Sequence, residues 1–248
     1  MTSSVQVTRD SGITLVSMQH GKVNALDLEL LTEVHAVFSG LAPDEVVVLT
    51  GNGRAFSAGL DMRRLLDEGA DYSDALLQEL TDATLAIFRH PAPVVAAVEG
   101  AAIAGGALLA FATDYRMMAA GVIGLPELSV GVAFPPALLE VARYVMGTGL
   151  RMHLLGARAV KIDEALAAGF VDEVVAPEGL LTSAHANALE LKNIPAISYA
   201  LVKSTLHAPT EQCIANIGGN VAKDVAAAWM DETVRAGIRS QVERIASK

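Results

Sequence analysis

Apolar residues recur along this 248-residue chain in two rhythms, short solid or alternating runs and helical spacing, and the two take turns. Val5-Gln6-Val7 and Ile13-Thr14-Leu15-Val16 flank Arg9-Asp10-Ser11-Gly12, the pattern of a hairpin. Asp27 is placed to cap a helix whose Leu28, Leu31, Val34, His35 and Phe38 share a face, and Ala42-Pro43-Asp44 breaks it. Val46–Leu49 reads as a buried strand, Thr50–Gly59 as a loop and Leu60–Glu68 as a helix. Leu76–Phe88 is a further amphipathic helix, stopped before Pro91 and Pro93. Asp114–Ala119 reads as a strand, and the short apolar Val122–Leu125 delivers Pro126-Glu127-Leu128 into a loop. Pro136–Met146, Thr148–Leu155 and Asp163–Ala168 read as short helices, followed by a strand at Val171–Val175. Helical patterns fill the remainder, at Glu178–Lys192, Ala196–His207, Glu211–Trp229 and Asp231–Ala246. Strand-then-helix units recur without a fixed period, which predicts an α/β fold with sheets beneath helices.

The stretch Val94–Asp114 carries the strongest local signal. Val94-Val95-Ala96-Ala97-Val98 suits a buried strand, Gly100 a tight turn, and Ala104-Gly105-Gly106 leads into the apolar helix Ala107–Ala112. A glycine at a helix start leaves backbone N–H groups open to a ligand oxygen. The segment has the length of a membrane span, but Pro93, Glu99 and three glycines interrupt it and no basic flank anchors it. It lacks the Lys-Ser or Lys-Thr of a phosphate loop, because Ala107-Leu108 stands there.

Composition narrows the function. An apolar fraction of 52% with only 4% aromatic residues means a sizeable core filled by small aliphatics. A net charge of −10 with no basic run argues against a nucleic-acid surface, so an anionic ligand would depend on local cations such as Lys22, Arg54, Arg63 and Arg64. Cys213 is the single cysteine, which excludes a disulfide framework and a thiolate metal site. The six histidines lie far apart without metal-ligand spacing, and no metal is expected. Met1–Asp10 has none of the apolar character of a secretory signal, and the expected location is the cytoplasm.

Two places could carry chemistry. The loop Thr50–Gly59 lacks the third glycine of a dinucleotide fingerprint, and Ser57 sits outside a nucleophile elbow. Ser57 reads as a turn or cap residue, and Ser57-Ala58-Gly59 enters a helix much as the segment around Gly105 does. Two such amides could form the halves of one oxyanion hole. Glu127 is the other place: a carboxylate among Leu125, Pro126, Leu128 and Val130. Most loop glutamates are exposed; the functional alternative is a partly buried acid–base group of raised pKa.

Arg54–Met62 (RAFSAGLDM) resembles the first oxyanion motif of the crotonase, or enoyl-CoA hydratase/isomerase, superfamily. Pro93–Gly100 with Ala104-Gly105-Gly106 and Asp114-Tyr115-Arg116 resembles the second, and the likeness continues through Gly169–Val175. The resemblance implies a crotonase-like spiral of ββα turns over residues 1–194 and a helical trimerisation region over 195–248, giving a homotrimer or hexamer. It implies an acyl-CoA thioester whose oxygen lies between the amides of Ala58 and Gly105. The coenzyme A moiety, part of the substrate and the only cofactor-like group expected, would lie near Asn24-Ala25-Leu26 and along Ala58-Gly59-Leu60-Asp61-Met62, with Ala104 and Leu108 beside the acyl part.

One departure decides among the family's activities. Hydratases of the family use two glutamates; the first falls at Leu108 in this chain and the second at Glu127. A leucine can neither hold water nor move a proton, whereas one carboxylate suffices to shift a double bond. Leu108, Gly124-Leu125-Pro126-Glu127 and Val23–Leu26 look most like the 3,2-trans-enoyl-CoA isomerase branch, which converts 3-enoyl-CoA to trans-2-enoyl-CoA in fatty-acid oxidation. The resemblance leaves other crotonase chemistry open, such as hydration, thioester hydrolysis or decarboxylation, and also a relative that binds acyl-CoA without turning it over.

Overall fold

The computed structural model describes residues 3–247. In chain order its strands are β1 (Val5–Asp10), β2 (Ile13–Met18), β3 (Val46–Thr50), β4 (Val94–Val98), β5 (Ala101–Ile103), β6 (Tyr115–Met118), β7 (Val122–Gly124), β8 (Ala159–Lys161) and β9 (Glu173–Val174). The helices are α1 (Leu28–Gly40), α2 (Met62–Asp67), α3 (Ala70–Arg89), α4 (Gly105–Phe111), α5 (Pro136–Met146), α6 (Leu150–Leu155), α7 (Ile162–Ala167), α8 (Leu180–Lys192), α9 (Ala196–Ala215), α10 (Gly219–Trp229) and α11 (Glu232–Ala246). Among the described residues, no helix is long and apolar enough to cross a membrane.

A six-stranded sheet runs β1-β2-β3-β4-β6-β9, antiparallel only at the predicted hairpin β1–β2. Its central strands are solid apolar runs because both faces are covered. Leu180, Ala184 and Ala188 of α8 pack on Val46, Val48, Val95 and Ala97, while α1, α3 and α4 cover the opposite face. A second sheet, β5-β7-β8, is extended by a single parallel bridge between Ser57 and Ala102. The windings from β3 to α5 thus each contribute one strand to the large sheet, a short strand or bridge to the small one and then a helix. This is the expected crotonase-like spiral.

The spiral is what assembles a site. Ser57, β5 and β7 lie side by side in parallel, so the residues that follow each of them leave the small sheet at the same edge. These are Ala58, Ala104-Gly105 and Leu125-Pro126-Glu127. Backbone hydrogen bonds hold the three segments together, from Ser57 N to Ala101 O at 3.0 Å, Ile103 N to Ser57 O at 3.0 Å and Ala104 N to Gly124 O at 2.9 Å.

Several boundaries differ from the sequence reading. The helix expected at Leu60–Glu68 begins at Met62, because Leu60 is held in a bridge to Leu26 and Asp61 caps the helix by accepting from the amides of Arg63 and Arg64. The short strands β5 and β8 carry too few residues to show a pattern and exist through long-range pairing. The strand expected at Val171–Val175 shrinks to Glu173–Val174. Helix α9 runs on through Pro209 to Ala215, and the segment Glu211–Trp229 is divided between α9 and α10 by Asn216-Ile217-Gly218. The loop around Glu127 is a 3₁₀ turn, Glu127–Val130, closed by Gly131.

Candidate active site

An apolar cavity of about 40 Å³ lies beside the second and third of those segments, and Ala58 is outside its lining. Leu60, Met62, Ala104, Gly105, Leu108 and Glu127 line it, all of them residues singled out from the sequence. Among the described residues, Glu127 is the only charged side chain on its wall. Its Oε2 is shut off from solvent and has no hydrogen-bond partner among them, although the residue as a whole is half-buried. The reading of Glu127 as an ordinary exposed loop glutamate therefore fails. Burial pushes its pKa well above the usual carboxylate value, offset only in part by its own backbone N–H. The 3₁₀ turn that aims it is anchored by the fully buried Leu125 and by the Val132 amide, which donates to the Glu127 carbonyl at 3.1 Å.

The amide of Gly105 opens α4 and makes no hydrogen bond to protein among the described residues. It is aimed by Ala104, which adopts φ 57°, ψ −126°, a conformation that L-residues avoid. Gly59 makes the same corner accessible from the other side. Its φ is +88°, and a Cβ there would fall 2.9 Å from the Cβ of Ala104 and 2.9 Å from the carbonyl of Ile103.

Ala58, the other expected donor, is exposed, and its amide already donates to the carbonyl of Val23 at 3.0 Å. The expectation of two open amides is corrected accordingly: one is open and one is engaged by main chain. Ser57 is fully buried, with Oγ donating to Asn24 O at 2.7 Å and accepting from Gly59 N at 3.1 Å, so it braces the loop.

The segment Asn24–Leu26 reaches the site through backbone more than through side chains. The Asn24 side chain is fully buried; its Nδ2 donates to the carbonyls of Met18, Ala55 and Phe56, and its Oδ1 accepts from His20 N. Leu26 is core, lying beneath Gly105, where a Cβ on the glycine would meet its Cδ1 at 3.0 Å. Ala25 is half-buried, and neither it nor Asp61, the cap of α2, lines the cavity. Among the candidate cations, Arg64 is committed to structure. It pairs with Glu29, with Glu68 at 2.6 Å and with Asp27 at 3.3 Å, and stacks over Tyr72. Lys22, Arg54 and Arg63 are exposed and form no ion pair among the described residues.

Sequence reasoning missed the far wall. Val130, Val132 and Phe134 close one side, and Trp229 and Ile238 arrive from α10 and α11. Trp229 is the chain's one tryptophan, the only local hint that its helix does more than pack. Away from the cavity, His35 pairs with Glu79 at 2.7 Å beside Asp82, joining α1 to α3.

Comparison with known proteins gives the family and the fold. Residues 8–246 match the family described as enoyl-CoA hydratase/isomerase. The chain is 32% identical over 236 residues to a carnitinyl-CoA dehydratase of Escherichia coli K12, covering 90% of this chain and 89% of that one. It is 32% identical over 209 residues to a probable enoyl-CoA hydratase of Mycobacterium avium, covering 82% and 81%. Among solved structures it resembles human mitochondrial delta3-delta2-enoyl-CoA isomerase with a TM-score of 0.92, 25% identity and 98% of both chains covered.

Proposed function

Given that the chain belongs to the enoyl-CoA hydratase/isomerase family, we propose that it is an enoyl-CoA isomerase that moves the double bond of a 3-enoyl-CoA to the trans-2 position. The observation that carries this reading is a single carboxylate, Glu127, whose Oε2 has no hydrogen-bond partner among the described residues and which shares an apolar cavity with Leu108 and with Gly105, whose amide is open.

Glu127 removes a proton from the α carbon, and the electron pair moves into a dienolate whose charge gathers on the thioester oxygen. The Gly105 N–H, and the Ala58 N–H once released from Val23, donate to that oxygen. The same carboxyl returns the proton to the γ carbon, so atoms and electrons balance within the substrate and the chemistry calls on no metal or redox cofactor. Apolar walls keep water from the dienolate, and the raised pKa of Glu127 makes it a stronger base than an exposed glutamate. Leu108, 1% exposed, stands where a second carboxylate would be needed to hold water.

The relatives named as hydratase and dehydratase support a second reading, addition or removal of water across the 2,3-bond. Product analysis with 3-enoyl-CoA and 2-enoyl-CoA separates the two. An isomerase yields 2-enoyl-CoA from the first and little 3-hydroxyacyl-CoA from the second. Efficient hydration overturns the isomerase reading, and tight acyl-CoA binding with turnover of neither points to a binding protein.

The assembly we propose is a homotrimer or a pair of trimers. Exposed Ile197, Leu201, Val202 and Leu206 on α9 give it an apolar surface to bury. Light scattering that returns a monomer at micromolar concentration would reject it.

A further inference from the structure

We propose that Trp229 sets the length of acyl chain that the site accepts, restricting it to short-chain thioesters; the inference rests on the acyl-thioester reading above.

Trp229 ends α10, is buried, and lines the same cavity as Gly105. Its indole N–H donates to the Ala133 carbonyl at 2.8 Å, which pins the ring against the segment that follows Glu127. The helix behind it is equally fixed. Arg235 donates to the carbonyl of Leu66 at 2.8 Å, and Gly237 packs so closely on the 3₁₀ turn that a Cβ would fall 2.5 Å from the Val130 carbonyl oxygen. The wall is therefore a built part of the fold.

Volume then decides what fits. An apolar protein cavity of about 150 Å³ holds benzene, six carbons. The roughly 40 Å³ found here is about a quarter of that, so the site as it stands gives a long chain no room. With the thioester oxygen at Gly105 and the α carbon at Glu127, a short chain fills the space, and a longer one meets Trp229.

A larger space lies next door. A groove of about 540 Å³ between α3, α5 and α10 has an apolar side formed by Leu77, Leu85, Ala137, Ile214 and Val225, with Asp74, Asp82 and Lys223 also lining it. Pro135 lines both the groove and the cavity, and Val225 lies one helical turn before Trp229 on α10. Removing the indole would join the two and give a long chain an apolar path.

The test uses the native protein, Trp229→Ala and Trp229→Leu, each with a melting curve. Calorimetric titration with butanoyl-, hexanoyl-, decanoyl- and dodecanoyl-CoA is set beside turnover of the matching 3-enoyl-CoAs. A methylene that a pocket cannot house costs about 10-fold or more. The native protein should therefore disfavour the decanoyl chain against the hexanoyl chain by at least about 10-fold in binding and in kcat/KM, and the variants should erase that preference. Native binding of decanoyl-CoA as tight as hexanoyl-CoA overturns the proposal. So does an unchanged preference in a folded variant, with Trp229→Leu deciding if Trp229→Ala does not fold. A short-chain preference in binding without isomerase turnover sustains the length limit and removes the isomerase reading. Absence of binding by every acyl-CoA overturns both.

Discussion

The amide of Ala58 donates to the carbonyl of Val23 at 3.0 Å, so one expected oxyanion donor is engaged by the chain itself. Val23 is 39% exposed and precedes Asn24, whose backbone sits at φ +47° and whose side chain is tied down. On the proposed reading, the thioester oxygen takes the place of the Val23 carbonyl as the acceptor of the Ala58 amide. A crystal structure with a non-reactive acyl-CoA analogue should show the Ala58 amide on the thioester oxygen and the Val23 carbonyl withdrawn beyond hydrogen-bond distance. An unmoved Val23 would leave Gly105 as the sole donor.

Glu127→Gln keeps the shape of the side chain and removes its ability to accept a proton. Turnover of 3-enoyl-CoA should fall on the order of 10²–10⁴-fold, with acyl-CoA affinity nearly unchanged because binding rests on backbone and apolar contacts. In the native enzyme the base works ionised, so kcat/KM should rise with pH through a pKa above the usual glutamate value. A profile already flat from pH about 5 upward would show that burial does not tune this carboxyl.

The same substitution has a stability signature. Between the ordinary value of 4.5 and the raised native pKa, the folded protein binds more protons at Glu127 than the unfolded chain does. Stability contributed by this group therefore falls as pH rises through that window, by about 1.4 kcal/mol for each unit of the shift, and is level above it. Glu127→Gln carries no such loss. Its Tm should exceed that of the native protein at neutral pH, and the gap should close as the pH is lowered toward 4.5. Equal melting at every pH would mean the native carboxyl is solvated.

Ala104 holds a backbone conformation suited to glycine. Strain of that kind costs roughly 1–3 kcal/mol, against roughly 0.5–1 kcal/mol for the extra freedom of glycine in the unfolded chain. Ala104→Gly should therefore stabilise the fold by up to about 2 kcal/mol while loosening the aim of the Gly105 amide. Urea unfolding together with a several-fold lower kcat would support both halves, and a destabilised variant would contradict the first.

Leu108→Glu places a second carboxylate on the wall of the cavity that Glu127 lines. Two close carboxyls share protons, one pKa being pushed up, so one can act as acid while the other acts as base. Burying the new charge costs on the order of several kcal/mol, so a folded variant should gain slow hydration of 2-enoyl-CoA and lose isomerase rate. Formation of 3-hydroxyacyl-CoA measures it, and a folded variant with no hydration would show that water needs more of the pocket than one added carboxylate.

How much of this was legible depended on whether the cause was local. Asp27 announces α1 by its own chemistry, and its Oδ1 accepts from Leu30 N at 2.9 Å as a cap should. The solid run Val94–Val98 is buried on both faces, and Glu127 is out of character with its neighbours in the chain and in space. What stayed hidden depends on distant partners. Nothing near Ala58 in sequence reveals that Val23 accepts its proton, and nothing near Arg64 reveals Glu29 or Tyr72. Helices α10 and α11 read as an Ala- and Val-patterned tail, and the break at Asn216-Ile217-Gly218 was masked by that pattern. Their place over the cavity follows from packing, which composition does not encode.

The close approach of Gly237 to Val130 also orders events in time. The turn that aims Glu127 is made before the helix that packs on it, so the wall that buries this base is completed by residues that come later in the chain than the base itself.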